Sequence, residues 1–154
     1  MVRSLTRNYL LDLNVLIALV DSGHQHYQKA QDWFISSDDA HVRLCPLTEA
    51  GFLRITTNPA YRPAPRTIEE AIAILQLLKG HPRFAHPLYG YWEIKDSWVD
   101  LTARFAARIS GHQQITDAYL LGLAIKEKGV LVTFDKGIQY MAGAEFSQNV
   151  LLIE

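Results

Sequence analysis

Four short apolar runs punctuate this chain: "YLL" at Tyr9–Leu11, "HVRLCP" at His41–Pro46, "VLVTF" at Val130–Phe134 and "NVLLIE" at Asn149–Glu154. Between them the apolar residues recur at helical spacing. Consecutive apolar residues in runs this short read as strands buried on both faces, and strands that alternate with helices build a mainly parallel sheet. The expectation is an α/β domain of four or five strands. A length of 154 residues with 49% hydrophobic content suits a single well-cored domain over 1–154.

The helical segments follow from spacing and caps. Asn14–Val20 opens as a helix directly after the first strand, with Asp12 at the seam. Tyr27, Ala30, Trp33 and Phe34 mark a second helix, ended by "SSDD", and a third begins at Leu47 and stops in the proline-rich "TTNPAYRPAP". "TIEEAIAILQLLKG" has a capping box in Thr67 and Glu70, an apolar stripe of Ile68, Ala71, Ile72, Leu75 and Leu78, and Gly80 as its stop. A short strand is expected around Phe84–His86, then a helix capped by Asp96 with Trp98, Leu101, Thr102, Phe105 and Ile109 on one side. "ITDAYLLGLAIKEKG" is apolar nearly all round from Ala118 to Ile125, a buried helix closed by Lys126, Lys128 and Gly129.

Composition excludes several classes. A formal net charge of -1 gives no global attraction to nucleic acid or an anionic membrane, so any polyanion site is local. The one cysteine, Cys45, makes no intramolecular disulfide, the N-terminus lacks an h-region, and a reducing cytoplasm is the expected setting. No apolar run approaches the roughly 18 residues of a membrane span. Neither G-x-x-x-x-G-K-[ST] nor G-x-S-x-G occurs, which removes P-loop nucleotide binding and the serine-hydrolase elbow.

The acids are the informative residues. Asp12 ends the first strand and Asp135 follows "VLVTF", so both fall at the carboxyl edge of a parallel sheet, where such folds bind ligands. Asp117 stands in the first turn of the buried helix, where the helix dipole favours negative charge. Glu49 shares a helical stripe with Phe52, Leu53 and Thr56, an inward face on which a carboxylate needs a partner or a metal. Taken singly, an Asp at a strand end or helix start is more often a cap. Together, carboxylate oxygens without Cys or His companions suit Mg²⁺ or Mn²⁺ rather than zinc.

The contexts "LLDLNVLIALVD", "LTEAGFLRITTNP", "ITDAYLLGLAIKEKG" and "LVTFDKG" together resemble the PIN-domain family, in particular the VapC ribonuclease toxins of prokaryotic toxin–antitoxin systems. The resemblance covers nearly the whole chain and aligns Asp12, Glu49, Asp117 and Asp135 with the family's four acidic positions. It places Asn14 and Thr133 in supporting positions beside the first and last acid. It implies a three-layer α/β/α sandwich around a mainly parallel sheet of about five strands and a Mg²⁺- or Mn²⁺-dependent endoribonuclease. It further implies a homodimer and a cognate VapB-type antitoxin. Two departures stand out: "FDKGIQYM" lacks the further acid and aromatic pair many relatives carry, and Leu120 and Leu121 occupy the places one helical turn beyond Asp117.

Local positive charge for RNA is available from Arg54, Arg62 and Arg66, each equally readable as a solvated surface arginine. Tyr89, Tyr91 and Trp92 have base-stacking chemistry but read rather as cover for the core or a dimer surface. His24 and His26 lack a third ligand at zinc spacing and read as loop residues. Two readings compete with the nuclease. A catalytically silent PIN-like module would bind RNA or protein without cleaving, and metal-dependent cleavage would exclude it. A receiver-like phosphoacceptor domain would want adjacent acids after the first strand, where "LLDLN" supplies one.

Overall fold

The computed structural model describes residues 7–37, 40–61, 64–84 and 91–154. In chain order the elements are β1 (Asn8–Leu11), α1 (Leu13–Val20), α2 (Tyr27–Ser36), β2 (His41–Arg43), α3 (Pro46–Thr56), α4 (Ile68–Gly80), α5 (Trp98–Thr102), α6 (Ile115–Lys126), β3 (Val130–Thr133), α7 (Lys136–Ala142) and β4 (Val150–Leu152). All strand pairings are parallel, in the order β2-β1-β3-β4. Among the described residues the sheet has four strands, against the five the resemblance implies. Of the expected strand at Phe84–His86, Phe84 lies in a turn and the rest falls outside the described residues. A single bridge from Leu44 to Tyr91 marks where the chain passes β2 again.

The sheet separates two cores, which makes the molecule a three-layer α/β/α sandwich. Alternation along the strands assigns the sides: Tyr9, Leu11, Val42 and Val132 join α1, α2, α3 and α4 on one face, whereas Leu10 and Leu131 join α5, α6 and α7 on the other. This is why the strand runs are continuously apolar: both faces of each strand are covered.

Several local expectations need correcting. On α4, Thr67 and Glu70 form the reciprocal capping box. Only Ala71 and Leu75 of its stripe are buried, however; Leu78 is half-buried and Ile68 and Ile72 are exposed, where α4 packs against α3. Gly80 is the last helical residue and His81 the cap. The helix expected from Asp96 is capped by Ser97, runs only to Thr102 and tightens into a 3₁₀ stretch, Ala103–Arg108, with a kink at Phe105. Asp96 itself pairs with Lys126 and accepts the Tyr119 hydroxyl on its carbonyl, so its side chain ties α5 to α6. At the end of α6, Lys128 adopts the left-handed conformation, φ 54°. Gly129 is required for a different reason: a Cβ there would meet Trp92 Cη2 at 2.5 Å and the Asn8 carbonyl at 2.8 Å.

The strand order positions the site. From β1 the chain moves outward to β2, and from β3 outward in the opposite direction to β4, so the topology reverses between β1 and β3. At such a switch point the loops leave the carboxyl edge in opposite directions and open a crevice. β1 ends at Leu11 and β3 at Thr133, which brings Asp12 and Phe134–Asp135 to that crevice.

Candidate functional site

Asp12 is held on three sides. Its backbone N–H extends the sheet ladder to the Val132 carbonyl at 2.9 Å. One carboxylate oxygen, Oδ1, accepts from Leu13 N at 2.7 Å as the cap of α1, and Oδ2 accepts from Thr133 Oγ1 at 2.8 Å. The residue is 5% exposed. Burial raises its pKa, against the Thr133 and Leu13 hydrogen bonds, and nearby Asp135 adds to the rise.

Thr133 is fully buried and bonds both acids that flank the crevice: besides donating to Asp12, its Oγ1 accepts from Asp135 N at 3.0 Å. Asp135 caps α7 by accepting from Gly137 N at 2.7 Å through Oδ1, and its side chain is exposed. Both Asp12 and Asp135 are therefore helix caps as well as edge carboxylates, and the two readings of each coexist.

Asp117 arrives from α6. A helix leading through a tight turn into a parallel strand starts near the carboxyl edge, so the first turn of α6 faces the crevice between β1 and β3. Its carboxyl is half-buried and its pKa is pushed up to about 7, first by burial, then by Asp12 and then by Asp135. The three aspartates are thus brought into electrostatic contact, and no ion pair to any of them is formed among the described residues.

Glu49 is not among the charges that raise Asp12 or Asp117. On α3 it sits above buried Phe52 and Thr56 as its spacing requires, and its partner is Lys79 from α4, Nζ to Oε1 at 2.9 Å. Lys79 also stands 4.8 Å over the Tyr91 ring. The Tyr91 phenol is pushed up to about 12 by burial and then by the Glu49 charge beside it. No cluster of three or more His, Cys, Asp or Glu residues is close enough to cage a metal among the described residues. The donor set nevertheless suits a hard divalent cation: carboxylate oxygens from separate elements, with Asp12 and Asp117 both raised, by burial first and then by their acidic neighbours.

The remaining sequence-derived residues divide. Asn14 is exposed and lines a cavity with Asp135, whereas the Asp12 carboxylate takes its hydrogen bonds from Leu13 and Thr133. Arg54 is exposed on the last turn of α3, and Arg66 follows in the loop, its N–H donating to the Thr56 carbonyl at 3.0 Å. Arg62 and Tyr89 lie outside the described residues. Trp92 is buried in the second core. Sequence reading missed Lys79 as the partner of Glu49, and it missed His24 and His26, which are half-buried at the crevice with His26 stacked on Phe134. A usable signal existed for the histidines: α2 leads into β2, so the turn before it lies toward the carboxyl edge.

Comparison with known proteins identifies the family. The PIN-domain profile matches residues 9–144. Ribonuclease VapC38 of Mycobacterium tuberculosis (strain H37Rv) is 37% identical over 133 residues, covering 86% of this chain and 89% of that protein. Ribonuclease VapC44 of the same strain is 35% identical over 134 residues, with coverage of 86% and 89%. Among solved structures, VapBC2 from Rickettsia felis bound to a promoter DNA fragment superposes with a TM-score of 0.57 at 13% identity, over 94% of this chain and 96% of that one. FitAcB from Neisseria gonorrhoeae gives 0.55 at 18% identity, over 87% and 92%. At those identities the structures speak for the fold, while the family match spans most of the chain and the relatives are over 30% identical across it, and the chain belongs to the PIN-domain family, among its VapC ribonuclease members.

Proposed function

We propose that this protein is a metal-dependent endoribonuclease, the toxin of a type II toxin–antitoxin system, with Asp12, Asp117, Asp135 and Glu49 as the residues that hold Mg²⁺ or Mn²⁺. The observation that carries the reading is the convergence of Asp12, Asp117 and Asp135 at the sheet's switch point, with Asp117 pushed up to about 7 by burial first and then by the charges of Asp12 and Asp135. When bound, the cation supplies an activated water and charge neutralisation for in-line displacement at a phosphodiester.

The chain's own residues supply position and charge. Thr133 and the Leu13 N–H fix the rotamer of Asp12, which leaves the carboxylate with defined lone pairs facing the crevice. Asp117 adds a second carboxylate from the opposite layer. Asp135, anchored through its backbone on Thr133, adds a third at the open side. Glu49, held by Lys79 in this structure, would be the fourth carboxylate to hold the cation. Arg54 and Arg66 are proposed to meet the RNA backbone.

The relatives' names support RNA as the substrate and a VapB-type antitoxin as the partner; a homodimer and a cytoplasmic setting are proposed with them from the family resemblance alone. No helix among the described residues is long and apolar enough to cross a membrane.

The test is cleavage of total cellular RNA by purified, antitoxin-free protein with Mn²⁺ or Mg²⁺ against EDTA, alongside Asp12→Asn and Asp117→Asn. Discrete products that need the metal and disappear in both folded variants are expected. Wild-type protein that is folded and cuts nothing would leave the catalytically silent binding module as the better description.

A further inference from the structure

Beside the acids lies a cavity of about 220 Å³, lined by Asn14, His24, Gln25, His26, Phe134 and Asp135. Pockets for drug-sized ligands run from about 300 to 1,000 Å³, whereas a water occupies about 30 Å³. The space therefore suits a single ring-sized group. One wall is aromatic: the His26 ring lies 4.7 Å from Phe134 with 33° between the planes. The remainder is polar, with amides on Asn14 and Gln25 and the imidazole of His24.

The loop carrying these groups is built before any ligand arrives. Gly23 N donates to Asp21 Oδ1 at 3.0 Å, His24 N to the Asp21 carbonyl at 2.9 Å and Tyr27 N to the His24 carbonyl at 3.0 Å. His26 N donates to His24 Nδ1, also at 3.0 Å. With Nδ1 accepting, the neutral imidazole carries its proton on Nε2, so His24 keeps a donor that the turn does not consume.

His26 and Phe134 also line a second cavity of about 380 Å³ that reaches Lys29 and Lys136, with Glu154 as the opposing charge. Both lysines are exposed and neither forms an ion pair among the described residues. A chain of net charge -1 must hold a polyanion through such local cations.

We propose that the two cavities form the subsite for the nucleotide flanking the scissile phosphate of a single-stranded RNA. Its base lies against the His26–Phe134 pair, its edge is read by His24, Gln25 and Asn14, and the next phosphate is met by Lys29 and Lys136. The proposal rests on the ribonuclease reading, since Asp135 is the wall shared with the acidic crevice. Single-stranded substrate follows from the chemistry: only an unstacked base can enter a ring-sized recess and present its edge to side chains.

The experiment measures binding and cutting separately. Binding of a short fluorescein-labelled single-stranded RNA of mixed sequence is followed by anisotropy in EDTA, and cut sites in total RNA are mapped with Mn²⁺. His24→Asn keeps an acceptor for His26 N and removes the Nε2 donor. Combined with Gln25→Ala, it should weaken binding about tenfold, raise KM with kcat little changed, and relax base preference at one position beside the cut. Lys29→Ala with Lys136→Ala should weaken binding to all sequences and lower the salt slope by about two.

Folded variants with wild-type binding and unaltered cut-site preference would overturn the subsite while leaving the nuclease intact. Binding that depends on these residues in a wild-type protein that never cleaves would uphold the subsite and remove the nuclease. Should His24→Asn fail to fold, Gln25→Ala, at an exposed side chain, carries the same test alone.

Discussion

The Thr133 hydroxyl donates to Asp12 Oδ2 at 2.8 Å from the neighbouring strand, across 121 positions of sequence. The same oxygen accepts from Asp135 N at 3.0 Å, so one buried side chain ties together two of the acids at the sheet edge. Thr133→Val keeps the shape and deletes both bonds. The expected loss is about 1 to 3 kcal/mol of stability, because the Asp12 carboxylate and the Asp135 N–H lose their partner, together with roughly a 10- to 100-fold fall in cleavage. Thr133→Ser should restore most of both. Chemical denaturation and RNA cleavage measured in parallel check it, and a Val variant as active as wild type would contradict the positioning role.

The carboxyl of Asp117, pushed up to about 7, makes stability depend on pH in a definite direction. Its folded pKa lies above the 3.8 of an ordinary Asp carboxyl, so the native state binds more protons than the unfolded chain between those limits. Stability of the metal-free protein should therefore fall as pH rises from about 4 to about 7. The raised pKa of buried Asp12 acts in the same direction. Asp117→Asn should flatten this slope and, with solvent screening at this half-buried site taken into account, stabilise the metal-free protein above pH 7 by on the order of 1 to 2 kcal/mol. Thermal melts in EDTA across this range decide the matter; an unchanged slope would mean that the Asp117 carboxyl is not raised in the folded protein.

Metal should reverse that penalty. With Mn²⁺ at about a hundred times its dissociation constant, linkage raises stability by about 2.7 kcal/mol. The gain should appear at pH 7.5, shrink below about pH 6 as Asp117 takes up its proton, and vanish on adding EDTA. A melting temperature indifferent to Mn²⁺ at every pH would contradict the acidic centre.

Lys79 and Glu49 form a pair at 2.9 Å, with Lys79 side-chain exposure of 47% and Glu49 of 20%. Lys79→Met should cost less than about 1 kcal/mol, as half-exposed ion pairs do. If the ammonium competes for the carboxylate, the same change should tighten Mn²⁺ binding several-fold by calorimetry. Unchanged or weaker affinity would place Glu49 outside the metal site.

Gly122, in the middle of α6, marks the closest approach of α5, since a Cβ there would lie 2.6 Å from the Leu101 carbonyl oxygen and 2.8 Å from Leu101 Cβ. The obstacle is backbone and cannot rotate away. Gly122→Ala should destabilise by about 1 to 3 kcal/mol despite its better helix propensity, and it should lower activity by displacing Asp117 on the same helix. Equal melting temperatures would show that α5 yields.

What could be read along the chain was whatever depends on neighbours in sequence. The continuous apolar runs at Tyr9–Leu11 and Val130–Phe134 announced strands covered on both faces, and Thr67 with Glu70 announced the start of α4, because periodicity and capping are local properties. Asp12 and Asp135 were legible as edge residues for the same reason, each following directly on a strand. The outward-facing Ile68 and Ile72 were not, since which part of a helical stripe meets the core depends on how the neighbouring helix lies against it. Nor was the partner of Glu49, a lysine 30 positions away on another helix. The charge sharing of Asp117 with Asp12, the bridging hydroxyl of Thr133 and the His26–Phe134 recess arise only when strand order places β1 beside β3. Sequence determined which groups the protein could use and which elements would carry them; tertiary structure decided their neighbours, because electrostatics and hydrogen bonding act over a few ångströms of space whatever the separation along the chain.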